Sequence, residues 1–338
     1  MTQLFLANLW AAIIGLVLSL YVILDGFDLG IGVLSLFTRR REDRDRMMSS
    51  IGAFWDANET WLVIAGGTLF GAFPMAYGTL LNALYVPIMI MLFGLIFRAV
   101  SFEFRSHSRR KAIWEFAFGA GSLVAVVGQG FTLGGLLGGI KVVDGNFAGS
   151  VWDWFTPLPI LMAVAVSFGY VVLGASYMLA RSEGSMHHRV HQWLIVSSTA
   201  MFATVMAVSI TMPFLFHHIA LKWSIHSVRY LLYALSLGAV FAFLILIFST
   251  FYRHRSYLPF AFSLIVFLIA FFGLLVVLYP YIVPASITIQ MAAADSRTLV
   301  FMLCGIGPLV PVMLFYNLYM YRVIIGRANG RGGQEELY

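Results

Sequence analysis

Charge is the scarcest property of this sequence. Asp, Glu, Lys and Arg make up 11% of its 338 residues, where a soluble domain carries about 25%. That shortage excludes an ordinary soluble enzyme, because there is too little polar surface to cover a core of this size. Cysteine is nearly absent. The one residue, Cys304, excludes a disulfide framework or a cysteine-based metal cluster and reads as a small apolar residue within a helix. No Walker motif, dinucleotide fingerprint or nucleophile triad is found. The first 24 residues lack a basic stretch and a small-residue cleavage site, so no removable signal peptide is expected.

What is abundant is apolar. Hydrophobic residues make up 61% of the chain, and mean hydropathy is +0.89. Apolar runs recur throughout at about the 20-residue length that crosses a bilayer core. A spanning backbone must satisfy its own hydrogen bonds, which leaves helices or a closed barrel. Barrel strands would alternate polar and apolar residues, and these runs are apolar all round. The sequence therefore predicts an all-α integral membrane protein. Nine transmembrane helices are expected, with cores near 6–36, 51–73, 82–104, 114–139, 158–180, 193–216, 230–251, 258–281 and 299–325.

The loops alternate in charge. The first holds Arg39, Arg40, Arg41, Arg44 and Arg46, and the third Arg105, Arg109, Arg110 and Lys111; the second holds no basic residue and the fourth only Lys141. Across the chain the odd loops and the tail carry 16 of the 21 Lys and Arg, and the even loops carry four. The positive-inside rule then puts the N-terminus outside and the C-terminus in the cytoplasm, as an odd number of spans requires. The formal charge of +6 does not point to nucleic acid, because the basic residues sit in loops between spans. The tail Gly326–Tyr338 reads as flexible.

Ionisable residues inside a span are costly and mark function by default. Here they crowd into the first three spans. The first contains Asp25 and Asp28, the second Asp56, Asn58 and Glu59, and the third Arg98 and Glu103. Asp25 and Asp28 are three apart, as are Asp56 and Glu59, so each pair shares a helix face. Asp25 precedes Arg39 by fourteen residues, roughly 20 Å of helix, and Asp56 follows Arg46 by ten, roughly 15 Å. Both fall between the cytoplasmic surface and mid-membrane. Three readings follow. The acids lie beyond the hydrocarbon, or they form a structural cluster with Arg98 that ties helices together, or they relay protons from the cytoplasm. Gly26, Gly30 and Gly32 beside the acids, and Gly66, Gly67 and Gly71 on the second span, suit close helix packing. Gly134, Gly135, Gly138 and Gly139 either do the same or end the fourth span.

Haem-binding membrane subunits usually place histidines within their spans. The eight here are His107, His187, His188, His191, His217, His218, His226 and His254, all assigned to loops or helix ends. His187, His188 and His191 have a metal-like spacing, but in a basic loop they read as a solvated cluster.

Leu24-Asp25-Gly26-Phe27-Asp28-Leu29-Gly30-Ile31-Gly32 resembles the first-helix signature of subunit II of cytochrome bd-type quinol oxidases. Phe54-Trp55-Asp56-Ala57-Asn58-Glu59-Thr60-Trp61-Leu62, running on to Phe73-Pro74, resembles its second helix, and Phe97-Arg98 through Phe102-Glu103-Phe104-Arg105 its third. Tyr279-Pro280-Tyr281-Ile282-Val283-Pro284-Ala285-Ser286 is a weaker fourth match. The chain length resembles the shorter, cyanide-insensitive branch.

The resemblance implies a haem-free subunit. Haems b and d, and the quinol site, would lie in a partner, subunit I, which oxidises quinol and reduces dioxygen to water. It implies two four-helix bundles, helices 1–4 over about 6–139 and helices 5–8 over about 158–281, with helix 9 at about 299–325 peripheral. It implies a cytoplasmic proton route at the subunit interface, matched here by Asp25, Asp56 and Glu103, with Asp28, Asn58, Glu59 and Arg98 as a supporting polar cluster. Many relatives have aspartate where Glu103 stands, and Gly-Asn where Ala57-Asn58 stands. Small accessory single-helix subunits, and a structural quinone or lipid in this chain, are compatible with it. The expected location is a bacterial or archaeal-type cytoplasmic membrane. Two other readings stand beside this one, a secondary transporter with a cation on its intramembrane acids and a purely scaffolding membrane subunit.

The charge alternation makes a direct prediction. With Cys304 replaced, a cysteine placed between Lys141 and Trp154 is expected to react with an impermeant reagent from outside, and one between Arg39 and Arg46 is not. The reverse pattern overturns the orientation.

Overall fold

The computed structural model describes residues 2–252 and 257–330, without the side chains of His217, His218, Tyr252 and 323–330. Arg253, His254 and Arg255 of the seventh loop, and the tail from Arg331, lie outside the described residues.

Helix starts follow local chemistry. Thr2 caps α1 (Gln3–Leu36) by accepting the Phe5 N–H at 3.3 Å. Proline, whose missing N–H costs nothing in a first turn, opens α4 (Pro74–His107), α6 (Pro157–Arg181) and, at Pro259, α10 (Leu258–Leu278). Asp295 precedes α12 (Ser296–Gly330) and accepts from the Arg297 N–H at 2.8 Å and the Thr298 hydroxyl at 2.9 Å. The Arg297 bond, then Thr298, hold its carboxyl below the usual carboxylate range. The other long helices are α5 (Lys111–Leu137), α7 (Gly184–Leu215) and α9 (His226–Tyr252). Shorter are α2 (Arg41–Ile51), α3 (Trp55–Ala72), α8 (His217–Ser224) and α11 (Ile289–Ala292). Two small antiparallel hairpins, β1 (Val142–Val143) with β2 (Asn146–Phe147) and β3 (Tyr281–Val283) with β4 (Ile287–Thr288), complete the described residues.

Among the described residues eight helices, α1, α4, α5, α6, α7, α9, α10 and α12, are long and apolar enough to cross a bilayer. The expected second span corresponds to α3, whose first turns carry Asp56, Asn58 and Glu59 and lower its apolar character. It runs antiparallel to α1. Asn58 meets Leu24 and Asp28 at one end, Trp61 and Ala65 cluster with Val17 and Tyr21, and Ala72 packs with Leu6 and Trp10 at the other. The first loop is folded where none was foreseen: α2 lies across the helix ends. Buried Glu115 of α5 holds Arg41 at 3.4 Å, Arg44 at 3.5 Å and Arg105 at 3.2 Å. Arg105 also pairs with Asp45, and Arg189 with Asp43. At its far end α12 continues through Gly330, into the segment expected as flexible tail.

Helices α1, α3, α4 and α5 contact one another, as do α6, α7, α9 and α10; α1 and α5 join the two groups through α6, and α12 lies against α1 and α3. α1 is enclosed. From Asp25 to Ser35 every residue is buried, and its backbone touches α6 where both lack side chains. A Cβ on Gly30 would collide with the Tyr170 carbonyl oxygen, and one on Gly174 would sit 2.5 Å from the Ile31 nitrogen. The α4–α5 crossing is similar, at Gly94 and Gly121. Gly66 and Gly67 differ: nothing lies within 4 Å of a Cβ there, so these two pack against no described helix. Gly134 packs against Pro159, while Gly138 caps α5 and Gly139 has φ +86°; the glycine run both packs and ends the helix. α4 bends at Leu84 (φ −118°, ψ 16°), three residues before Pro87, as expected where proline removes a backbone donor.

Gly30→Val forces a side chain into the α6 backbone and is expected to cost on the order of 3 kcal/mol, the upper range for overpacking. Thermal unfolding of the purified protein measures it. Gly305→Val on α12, with open space at its Cβ, is the control expected to unfold near wild type.

Candidate functional site

Asp25 and Asp28 lie one turn apart on α1, and both are fully buried. Burying one unpaired charge is costly, so the neighbours matter. Arg98 enters from α4 and bridges two helices. One guanidinium nitrogen stands 2.6 Å from Asp25 Oδ1, the other 2.9 Å from Glu59 Oε2 of α3. The planar fork of arginine suits such a double contact. The Trp55 ring lies 5.8 Å from the guanidinium carbon and stacks on Phe102 at 5.2 Å, which closes one side of the pair.

Asp28 is held differently. Asn58 donates to its Oδ2 at 2.8 Å and to the Leu24 carbonyl at 3.2 Å. The Tyr321 hydroxyl of α12 donates back to Asn58 Oδ1 at 3.0 Å. Around this pair Phe27, Phe54, Tyr177 and Tyr321 form an aromatic cage. Among the buried atoms of this cluster, Asp25 Oδ2, Asp28 Oδ1 and Arg98 Nε have no hydrogen bond within ordinary geometry. Three carboxyls thus face one guanidinium. The cluster contains more acid than it can neutralise as ion pairs, and a surplus carboxyl is what a proton-holding site needs.

The structure brings together Asp25, Asp28, Asn58, Glu59 and Arg98. It leaves two expected residues on the surface of this chain. Asp56 is exposed at the first turn of α3, where its Oδ1 accepts its neighbour Ala57 N–H at 2.9 Å. Glu103 is exposed on α4, outside the buried cluster. Five residues are additions to the sequence reading. Tyr321 completes the Asn58 pair. Glu115 is a buried acid in the fourth expected span; it lies four residues after Lys111 and so reads as surface. Tyr21, Gln129 and Tyr170 form a buried hydrogen-bonded group beside Asp25. Tyrosine and glutamine carry no formal charge, so a search for intramembrane charge passes over them.

The described histidines stand at helix ends: His107 ends α4, His187, His188 and His191 fall in the first turns of α7, and His226 opens α9. Among the described residues no three His, Cys, Asp or Glu converge as a metal site would require.

The chain is 35% identical over 191 residues to cytochrome bd-I ubiquinol oxidase subunit 2 of Escherichia coli strain K12, covering 54% of this chain and 50% of that protein. It is 31% identical over 207 residues to cytochrome bd ubiquinol oxidase subunit 2 of Bacillus subtilis, covering 60% of this chain and 61% of the relative. The matched stretch therefore spans about half the length of the Escherichia coli relative. In fold, it superposes on a chain of the bd oxidase structure from Geobacillus thermodenitrificans with TM-score 0.79 at 16% identity, covering 95% of this chain and 98% of that one. The model of the family described as cytochrome bd terminal oxidase subunit II matches residues 6–324, and this multi-pass membrane protein belongs to that family.

Proposed function

We propose that this chain is the haem-free subunit II of a quinol:oxygen oxidoreductase in the cytoplasmic membrane, and that its buried cluster is part of a proton route from the cytoplasm. In this reading haems b and d belong to the partner subunit I, and no residue of this chain ligates their iron. The observation that carries the reading is a gradient of burial. Asp56 is exposed, the Glu59 side chain is 26% exposed, and Arg98 and Asp25 are fully buried. Carboxyls thus step from the protein surface to a desolvated interior across α3, α4 and α1. Oxygen reduction consumes protons, and hydrocarbon does not conduct them. Glu59 takes the role of the middle group, and Glu103, exposed on α4, stands outside this series.

The reading includes nine spans. Eighteen residues of α helix reach about 27 Å, close to the thickness of a bilayer core, and α3 runs beside α1 from Asn58 to Ala72. That supports α3 as the ninth crossing, with the N-terminus outside. The scaffolding reading has its own support, because the cluster ties α1, α3, α4 and α12 through Arg98, Asn58 and Tyr321.

Two experiments separate the readings. Asp25→Asn and Asp56→Asn keep shape but cannot relay, and each is expected to slow quinol oxidation at least tenfold, about 1.4 kcal/mol in barrier, with haem content near wild type. His188→Asn in the exposed part of α7 is expected to change little. Wild-type turnover in both Asp variants refutes the proton route; loss of haem and partner instead favours scaffolding. Arg98→Leu leaves Asp25 and Glu59 without their cation and is expected to cost about 3–5 kcal/mol in thermal unfolding of the complex. Adding Asp25→Asn is expected to restore part of that loss, and no restoration refutes the ion-pair account.

A further inference from the structure

Beyond the acids, a neutral polar chain crosses three helices beside Asp25. Gln129 of α5 sits between two tyrosines. Its Nε2 lies 2.5 Å from the Tyr21 hydroxyl of α1, and its Oε1 accepts from the Tyr170 hydroxyl of α6 at 2.7 Å. Tyr170 reaches this place because Gly26, next to Asp25, has no side chain; a Cβ there would lie 2.9 Å from the Tyr170 ring. Both tyrosines are buried.

The chemistry of the amide gives this chain a direction. An amide nitrogen only donates and an amide oxygen only accepts. With Oε1 committed to Tyr170, Nε2 must donate to the Tyr21 oxygen, and the Tyr21 proton must point elsewhere. Tyr21 precedes Asp25 by one helical turn on the same face. Asp25 Oδ1 is committed to Arg98, whereas its buried Oδ2 has no other group placed on it, and Tyr21 is the further side chain that bears on this carboxyl.

We propose that Tyr21 is a positioning residue of the Asp25 site, its hydroxyl proton directed onto Asp25 Oδ2 because the Gln129 amide, bonded between the two tyrosines, presents its nitrogen to the Tyr21 oxygen. The inference rests on the proton-route reading for its consequence in turnover, but not for the hydrogen bond itself. Asp25 then has one oxygen held by a fixed charge and the other by a neutral donor. A proton arriving at Oδ2 meets an oxygen whose charge the Tyr21 hydrogen already partly satisfies, so the Gln129–Tyr170 pair tunes how readily Asp25 exchanges protons.

The test uses the whole oxidase and infrared difference spectroscopy. Subtracting the Asp25→Asn spectrum isolates the Asp25 carboxyl signal. Tyr21→Phe, which removes one oxygen, and Gln129→Leu are both expected to move that signal to higher frequency. Tyr170→Phe, which frees the amide to turn over, is expected to move it less in the same direction. Thr132→Val, on the same helix as Gln129 and bonded at 2.8 Å only to the Gly128 carbonyl, is expected to leave it in place. Turnover in Tyr21→Phe and Gln129→Leu is expected to fall about threefold to tenfold, the scale of one ordinary hydrogen bond. An unmoved signal in Tyr21→Phe overturns the proposal, and a moved signal with wild-type turnover overturns the positioning role. If Asp25→Asn and Asp56→Asn both turn over normally, the proton route fails, while the infrared shift still decides the Tyr21–Asp25 bond.

Discussion

A guanidinium buried in a helix bundle costs several kcal/mol of lost hydration unless carboxylates meet it in good geometry. Arg98 is fully buried, and much of the first helix group follows from meeting its need. Asp25 must face α4, so the face of α1 is set. Glu59 must reach the same guanidinium, so α3 cannot slide along α1. With that register imposed, Asp28 falls opposite Asn58, and Asn58 falls within reach of Tyr321 on α12. The glycine contacts act with this constraint. Gly30 and Gly174 bring α1 and α6 to backbone contact, and that closeness seals the cluster from the other side.

Much of this was legible in the sequence because charge in a membrane span is rare and conspicuous. Asp25, Asp28, Asn58, Glu59 and Arg98 stand out against apolar runs, and helical spacing alone puts them at similar depth. What spacing does not give is which face each helix turns to its neighbour. Asp56 and Glu59 share a face by sequence, yet one is exposed and the other reaches Arg98, because three residues on a helix differ by enough rotation to straddle a buried boundary. Glu103 lies five residues beyond Arg98 and so points away from it. A reading of the loops by charge alone misses Glu115, whose burial becomes visible only when Arg41, Arg44 and Arg105 are seen to converge on it.

The cluster separates two kinds of neutralisation. Asp25 and Glu59 bond directly to a fixed positive charge, while Asp28 feels it only at a distance and takes its hydrogen bond from a dipole, Asn58, which Tyr321 orients. Two acids one turn apart on a single helix therefore occupy different electrostatic surroundings. Neutral groups around them, the Asn58–Tyr321 pair on one side and Gln129 with its tyrosines on the other, orient without adding charge, which suits a region where each extra charge is expensive.

The Tyr321 contact has a consequence for how the protein is made. The chain is synthesised from its N-terminus, so Asp25 and Asp28 enter the bilayer with α1 well before Arg98 exists. Each aspartate near a helix centre costs about 3 kcal/mol on insertion scales. The strongly apolar start of α1, Leu4 to Leu24, offsets that cost until α4 arrives. The last piece, Tyr321, stands on α12. The polar site is thus complete only once α12 has been made, and a chain cut before it would hold Asp28 on an Asn58 that no tyrosine orients.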